Sequence, residues 1–221
     1  MISSIFNIES KEDRRQVALE TPRHPEENYR LFSVQDYMQL FERGILKPDE
    51  RTELINGKVR TMLPAGIPHS QIVVKLVELI HDVVPRKEWC VYAQNTIEVA
   101  GNLPEPDLCI AQGPSQRYDH RRPQAEDVSM IIEVAETSLH YDRGEKLRLY
   151  AAAGIKKYWI INLVDSQVET YCEPMPATEN SPPNYRTRRI ILKDEVAEIG
   201  FTESLKLSFQ LADLLPAPPA S

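Results

Sequence analysis

The sequence predicts an α/β domain, and three observations carry that reading. Met130-Ile131-Ile132-Glu133-Val134-Ala135 is an apolar run of the kind that forms a strand buried on both faces. A helical stretch follows and stops at Gly154, after which Tyr158-Trp159-Ile160-Ile161 reads as another strand, so Ser129 to Leu163 is a strand, helix, strand unit. Pro68 to Val84 carries a helical stripe (Ile72, Val73, Leu76, Leu79, Ile80, Val83) wide enough to cover one face of a sheet. Open α/β sheets bind ligands at strand ends, where Glu133 lies.

Taken in order, residues 1–30 are polar, charged and broken by Pro22 and Pro25, and read as an N-terminal arm, partly disordered or packed on a partner subunit. Ser33-Val34-Gln35-Asp36 is a helix start, and Val34, Tyr37, Met38 and Phe41 keep helical spacing until Gly44. Glu53 to Val59 reads as a hairpin turning at Asn56-Gly57, a pair that accepts positive φ. After the Pro68 to Val84 helix, with His69 in its first turn, Trp89 to Val99 alternates as a strand. Asp107 then heads a further strand behind Pro104 and Pro106. Arg117, His120, Arg121 and Arg122 make a basic loop. In the central unit, Asp142 and Glu145 spell an acidic capping box that starts the helix at Asp142. Gln167 to Cys172 pairs with Tyr185 to Leu192, and Ala197 to Phe201 with Leu205 to Phe209. With no repeat or composition break, residues 31–212 read as one domain and 213–221 as a tail.

The chain has 221 residues, 42% apolar and 27% charged, which is the balance of a folded globular protein. Its net charge of −7 argues against coating polyanions as the main activity, yet suits a nucleic-acid enzyme whose site gathers acids around metal ions. Cys90, Cys109 and Cys172 are odd in number and in no C-x-x-C pair, as in a reduced, cytoplasmic protein. No apolar run reaches the length of a bilayer and the start lacks a signal-peptide core, so no membrane association is expected.

Three acids recur at strand positions: Glu53, Asp107 and Glu133. Mg²⁺ or Mn²⁺ takes a few carboxylates and leaves other positions to water and phosphate. Asp107 and Glu133, from neighbouring strands, suit such an ion, with the backbone carbonyl of Val134 as an uncharged ligand. Glu133 is the strongest single candidate, because an acid inside an apolar run is costly to bury without a partner. Lys146 is the nearest source of a cation. Lys146 and Tyr150 share one helix face, and spacing alone favours a surface position for both. His69 reads sooner as a hydrogen-bonding residue than as a ligand, with no second His at the spacing zinc requires. The arginines at 117, 121, 122, 186, 188 and 189 either follow a phosphate backbone or solvate loops.

Several blocks together resemble a known family. Glu53-Leu54-Ile55-Asn56-Gly57-Lys58-Val59, Pro106-Asp107, Ile132-Glu133-Val134, and Tyr141-Asp142-Arg143-Gly144-Glu145-Lys146 through Tyr150-Ala151-Ala152-Ala153-Gly154 to Tyr158-Trp159 are similar to the Uma-two family of the restriction-endonuclease-like PD-(D/E)XK superfamily. The resemblance implies a mixed β-sheet flanked by helices and a Mg²⁺- or Mn²⁺-dependent endonuclease acting on DNA, as a homodimer. Asp107 and Glu133 would then hold the metal with the Val134 carbonyl, Glu53 would add a third acid, and Tyr150 and His69 would contact phosphate. The lysine of the family's E-x-K pattern is replaced by Ala135, so Lys146 would have to supply the charge from the helix. Two other readings stay open: a catalytically silent module that binds DNA or a protein, and metal-free hydrolysis by paired carboxylates of another phosphodiester or a glycosidic bond.

Overall fold

The structure is a computed structural model that describes residues 30–216, so the expected arm, apart from Arg30, and the last five residues of the tail lie outside the described residues. Ser33 and Asp36 cap the first helix, α1 (Val34–Glu42), reciprocally: each side chain accepts from the other's backbone N–H. Its buried Tyr37 donates through its hydroxyl to the Thr52 carbonyl at 2.9 Å, fastening α1 to the hairpin of β1 (Thr52–Ile55) and β2 (Lys58–Thr61). Asn56 and Gly57 make the turn with φ of 51° and 72°, which matches the twist of the two strands.

Next comes α2 (Ile67–Val83), with Pro68 at its start, then β3 (Trp89–Ala93) and β4 (Leu108–Gln112). The strand expected over Trp89 to Val99 ends at Ala93, because Gln94 makes a last bond from its N–H to the Asp107 carbonyl at 3.0 Å and turns the chain away at a φ of 51°. After a short 3₁₀ turn, β5 (Val128–Ala135) runs into α3 (Leu139–Tyr141), a π turn over Asp142–Lys146, and α4 (Leu147–Ala152). Asp142 therefore sits inside the helical stretch and does not start it. Its N–H reaches the Ser138 carbonyl at 3.0 Å and its carboxylate accepts from Ser138 Oγ at 2.6 Å, so the first turn forms one step earlier than the D-x-x-E pattern suggests.

The chain continues through β6 (Lys157–Asn162), β7 (Gln167–Met175), β8 (Asn184–Leu192), β9 (Val196–Gly200), β10 (Lys206–Gln210) and α5 (Leu211–Leu214). Leu214 and Leu215 are buried, which carries the packed core past residue 212.

Six strands form one mixed sheet in the order β3-β4-β5-β6-β7-β8, and the β5–β6 pair is parallel. A parallel pair needs a crossover, which α3, the π turn and α4 provide. Alternation along β5 sends Met130, Ile132 and Val134 to a core built on α2, and Ile131 and Ala135 to a second core containing Tyr150 and Tyr158. Glu133 falls between Ile131 and Ala135, and so faces the crossover with a carboxylate among apolar neighbours.

Candidate active site

A cavity of about 220 Å³ opens where the crossover, the hairpin and the start of α2 meet, lined among others by Glu53, Asp107, Glu133, Asp142 and Lys146. All five are buried. The arrangement follows from local structure. Glu53 hangs from β1, every residue of which is buried. Asp107 precedes β4, and its Oδ2 accepts from the Val134 N–H at 2.8 Å, while its own N–H points at Glu133 Oε2 at 3.3 Å. The two acids are thus tied through the backbones of adjoining strands. The Ala135 carbonyl is taken by Leu163 N–H on the β6 side, so the alternating ladder turns the Val134 carbonyl toward Asp107.

Lys146 bridges the rest. Its Nζ lies 2.9 Å from Glu133 Oε1 and 2.9 Å from Glu53 Oε1. Tyr150, one helical turn on, donates to the same Glu133 Oε1 at 2.9 Å. Spacing alone favours the surface for this pair, but Lys146 is 5% exposed and Tyr150 0%. The reason is the partner: a buried carboxylate on β5 compensates the desolvation of an ammonium and a phenol that would otherwise stay in water. His69 Nε2 meets Asp107 Oδ2 at 2.9 Å and Gln94 Nε2 meets Oδ1 at 3.2 Å. His69 Nδ1 is buried with no partner.

Electrostatics show what the cavity lacks. Burial pushes the Glu133 carboxyl well up, and Asp142, Asp107 and Glu53 add repulsion against the pull of Lys146. Asp142 is raised for the same first reason, burial. Burial would strip the proton from Lys146, yet Glu133, Glu53 and Asp142 together hold it well above its ordinary range. Asp107 is the exception: burial would raise it, but hydrogen bonding and charge from His69, with the Val134 N–H, hold it low. A lysine raised by three acids against its own burial marks a surplus of negative charge, and among the described residues lining the cavity four carboxylates and one ammonium are buried.

That surplus suits a hard divalent cation. Among the described residues no three His, Cys, Asp or Glu side chains converge closely enough to hold an ion by themselves. A cation here would use the Asp107 and Glu133 oxygens with the Val134 carbonyl and fill its shell with water and phosphate, as Mg²⁺ commonly does.

Some predicted partners lie elsewhere. Arg117 and Arg121 close on buried Asp127 at 3.0 and 2.5 Å, and Arg188 reaches Glu169 at 3.0 Å, so these three neutralise acids of the fold. Asp142 was hidden in the sequence behind its likeness to a cap; its four-residue spacing to Lys146 was the signal. Arg51 and Arg60 also line the cavity, the first paired with Glu105 at 2.5 Å and the second 3.5 Å over the Tyr141 ring. Neither stands out in the sequence.

The model of the Uma2 family, described as "Putative restriction endonuclease", matches residues 34–209. The chain belongs to the Uma-two (Uma2) family. Among solved structures, this Uma2 chain resembles the crystal structure of "a putative nuclease belonging to DUF820" from Anabaena variabilis, with 17% identity, a TM-score of 0.56, and 83% of this chain and 97% of that one covered. At that identity the likeness establishes the fold, a mixed sheet flanked by helices. No curated protein matches the chain.

Proposed function

We propose that this Uma2 chain is a Mg²⁺- or Mn²⁺-dependent endonuclease that hydrolyses DNA phosphodiester bonds, acting as a homodimer in the cytoplasm. The observation that supports it most is the buried surplus of carboxylates around Lys146 in a cavity open to solvent. In this reading Asp107, Glu133 and the Val134 carbonyl hold the cation, which when bound lowers the pKa of a water and offsets charge on the phosphoryl oxygens.

The chain's own residues do the rest. His69 and Gln94 fix both oxygens of Asp107, and Tyr150 fixes Glu133, so neither acid has to reorganise during the reaction. Lys146, held protonated between Glu133 and Glu53, places positive charge beside the attacking oxygen and the phosphate. Glu53 keeps that ammonium in place, and His69, which lines the cavity, is the nearer phosphate contact, whereas Tyr150 is fully buried and holds Glu133 instead. The helix thus supplies the charge that Ala135 cannot.

The test is nicking of supercoiled plasmid by the full chain in Mg²⁺ or Mn²⁺, with Asp107→Asn and Glu133→Gln proteins checked for fold by circular dichroism. Cleavage should need the metal, stop with chelator, and fall at least about a hundredfold in both variants. Cleavage that survives chelator, or survives both substitutions, overturns the reading. Binding without cleavage points to a silent module.

A further inference from the structure

The loop between β2 and α2, Met62-Leu63-Pro64-Ala65-Gly66, forms part of the cavity's rim and leads into Ile67, the first residue of α2; the nuclease function does not use it. Leu63 is 77% and Ile67 80% exposed, the highest values among the described large apolar residues. Single exposed aliphatics are ordinary; here Leu63 stands on the rim with Met62 and Pro64 and is followed by Ile67 in the first turn of α2, a run of apolar side chains beside the cavity. Pro64 and Pro68 stiffen the loop, so the apolar side chains are held outward at little further entropic cost. The loop is also anchored at both ends in the site, by the hairpin that carries Glu53 and by the helix turn that carries His69.

We propose that this loop is a wedge that enters DNA at the cleaved step, unstacking the bases next to the phosphate that Glu133 and Asp107 receive. The proposal rests on the nuclease reading and narrows its substrate to duplex that is kinked or unpaired at that step. Leu, Ile, Met and Pro are the side chains that proteins insert between base steps. The acids are recessed in the cavity whose rim the loop forms, Glu133 3% and Asp107 8% exposed, so a duplex that bends or unpairs at that step brings its phosphate closer to them than a straight one does. Arg60 lines the same cavity with its guanidinium 3.5 Å from the centre of the Tyr141 ring, which offers a phosphate a cation beside an aromatic face, while Arg51 is already paired with Glu105. Phosphate would meet the Arg60 guanidinium while the base meets the aliphatic loop.

Two measurements on the full chain test it separately from catalysis. In Ca²⁺, a short duplex carrying 2-aminopurine at several steps should brighten several-fold on binding, and the Leu63→Ser, Ile67→Ser double variant should lose at least half of that rise. In Mn²⁺, the same variant should lower the ratio of duplex to single-strand cleavage about tenfold. Both residues are exposed, so the variant should fold as the parent does. Brightening without cleavage sinks the nuclease reading and leaves the wedge standing. Cleavage without brightening, or a variant that brightens as the parent does, overturns the wedge. Loss of a dimer in light scattering with fluorescence unchanged assigns the loop instead to contact between copies and also overturns it.

Discussion

Lys146→Met removes the buried ammonium and leaves Glu53, Asp107, Glu133 and Asp142 to face one another. Deleting one partner of a buried ion pair costs about 3–5 kcal/mol, and Lys146 serves two partners at 2.9 Å each. For a chain of this length each kcal/mol moves the melting temperature about 2–4 °C, so the variant should melt roughly 6–20 °C lower near pH 8. The penalty must also depend on pH. Glu133 and Asp142 have folded pKa values above their ordinary 4.5 and 3.8, so the folded state binds their protons more tightly than the unfolded state. Stability is then lost as pH rises from those ordinary values through the raised ones, and more steeply once Lys146 no longer offsets the charge. The difference between parent and variant should therefore shrink by pH 5, and Mg²⁺ should rescue the variant in part. Urea unfolding at the two pH values, with and without Mg²⁺, measures this. A penalty under about 1 kcal/mol at pH 8, or one of equal size at both pH values, would falsify the charge-surplus argument.

Two further variants probe the surroundings. Burial would raise the Glu169 carboxyl, but Arg143, Tyr171 and Asn162 outweigh it and hold the group down at about 2. Against the ordinary 4.5 that depression is worth about 3 kcal/mol, fully present above pH 4.5 and lost as pH falls toward 2. Glu169→Gln should lose that much at neutral pH and show a flatter acid limb in a chemical-denaturation series; an unchanged limb counts against the pairing. Tyr150→Phe keeps the ring packed on Tyr158 and removes only the hydroxyl from Glu133, so unfolding should show a loss of about 1.5–3 kcal/mol, and Mn²⁺ affinity should fall because Glu133 is less fixed. A loss under about 0.5 kcal/mol means the hydroxyl finds water instead.

What the sequence disclosed depends on the range of the cause. The capping box at Ser33, the Asn56-Gly57 turn and the stripe of α2 are set by neighbours in the chain, and each appears in the structure where its pattern lies. Glu133 was legible because a charge in an apolar strand violates a local rule. The convergence was harder to read. Lys146 and Tyr150 look like solvent positions until β5 places a carboxylate against them, and Arg117 and Arg121 read equally as phosphate followers or loop solvation until Asp127 folds beneath them. Asp142 illustrates a subtler failure: residue type signalled a cap, while the Tyr141 and Asp142 N–H groups donate to the Ser138 carbonyl and start the helix earlier.

Packing around β5 explains why the charge beside Glu133 comes from a lysine on the helix and not from one on the strand. Ala135 points to the same face of β5 as Glu133, but it is fully buried in the core with Tyr158 and Ile155, where a longer side chain would displace packed atoms. The charge has to arrive from above. An α-helix advances about 100° per residue, and the extra residue of a π turn shifts everything beyond it by about that angle. Asp142 and Lys146, four residues apart, share a helix face with or without that shift and both line the cavity; what the shift sets is which residues beyond them, Leu147, Leu149 and Ala151 among them, reach the core. Gly144, in the middle of the turn, would place a Cβ with nothing within 4 Å, so Gly144→Ala should keep the site and gain about 0.5–1 kcal/mol from helix propensity. Deleting Gly144 removes that extra residue, so the turn should close to an α-helix with Asp142 and Lys146 still neighbours on the face toward the cavity. Calorimetry should then show Mn²⁺ binding within about threefold of the parent's in a chain that still unfolds cooperatively. Binding weaker by about tenfold or more would show that the site depends on the turn itself.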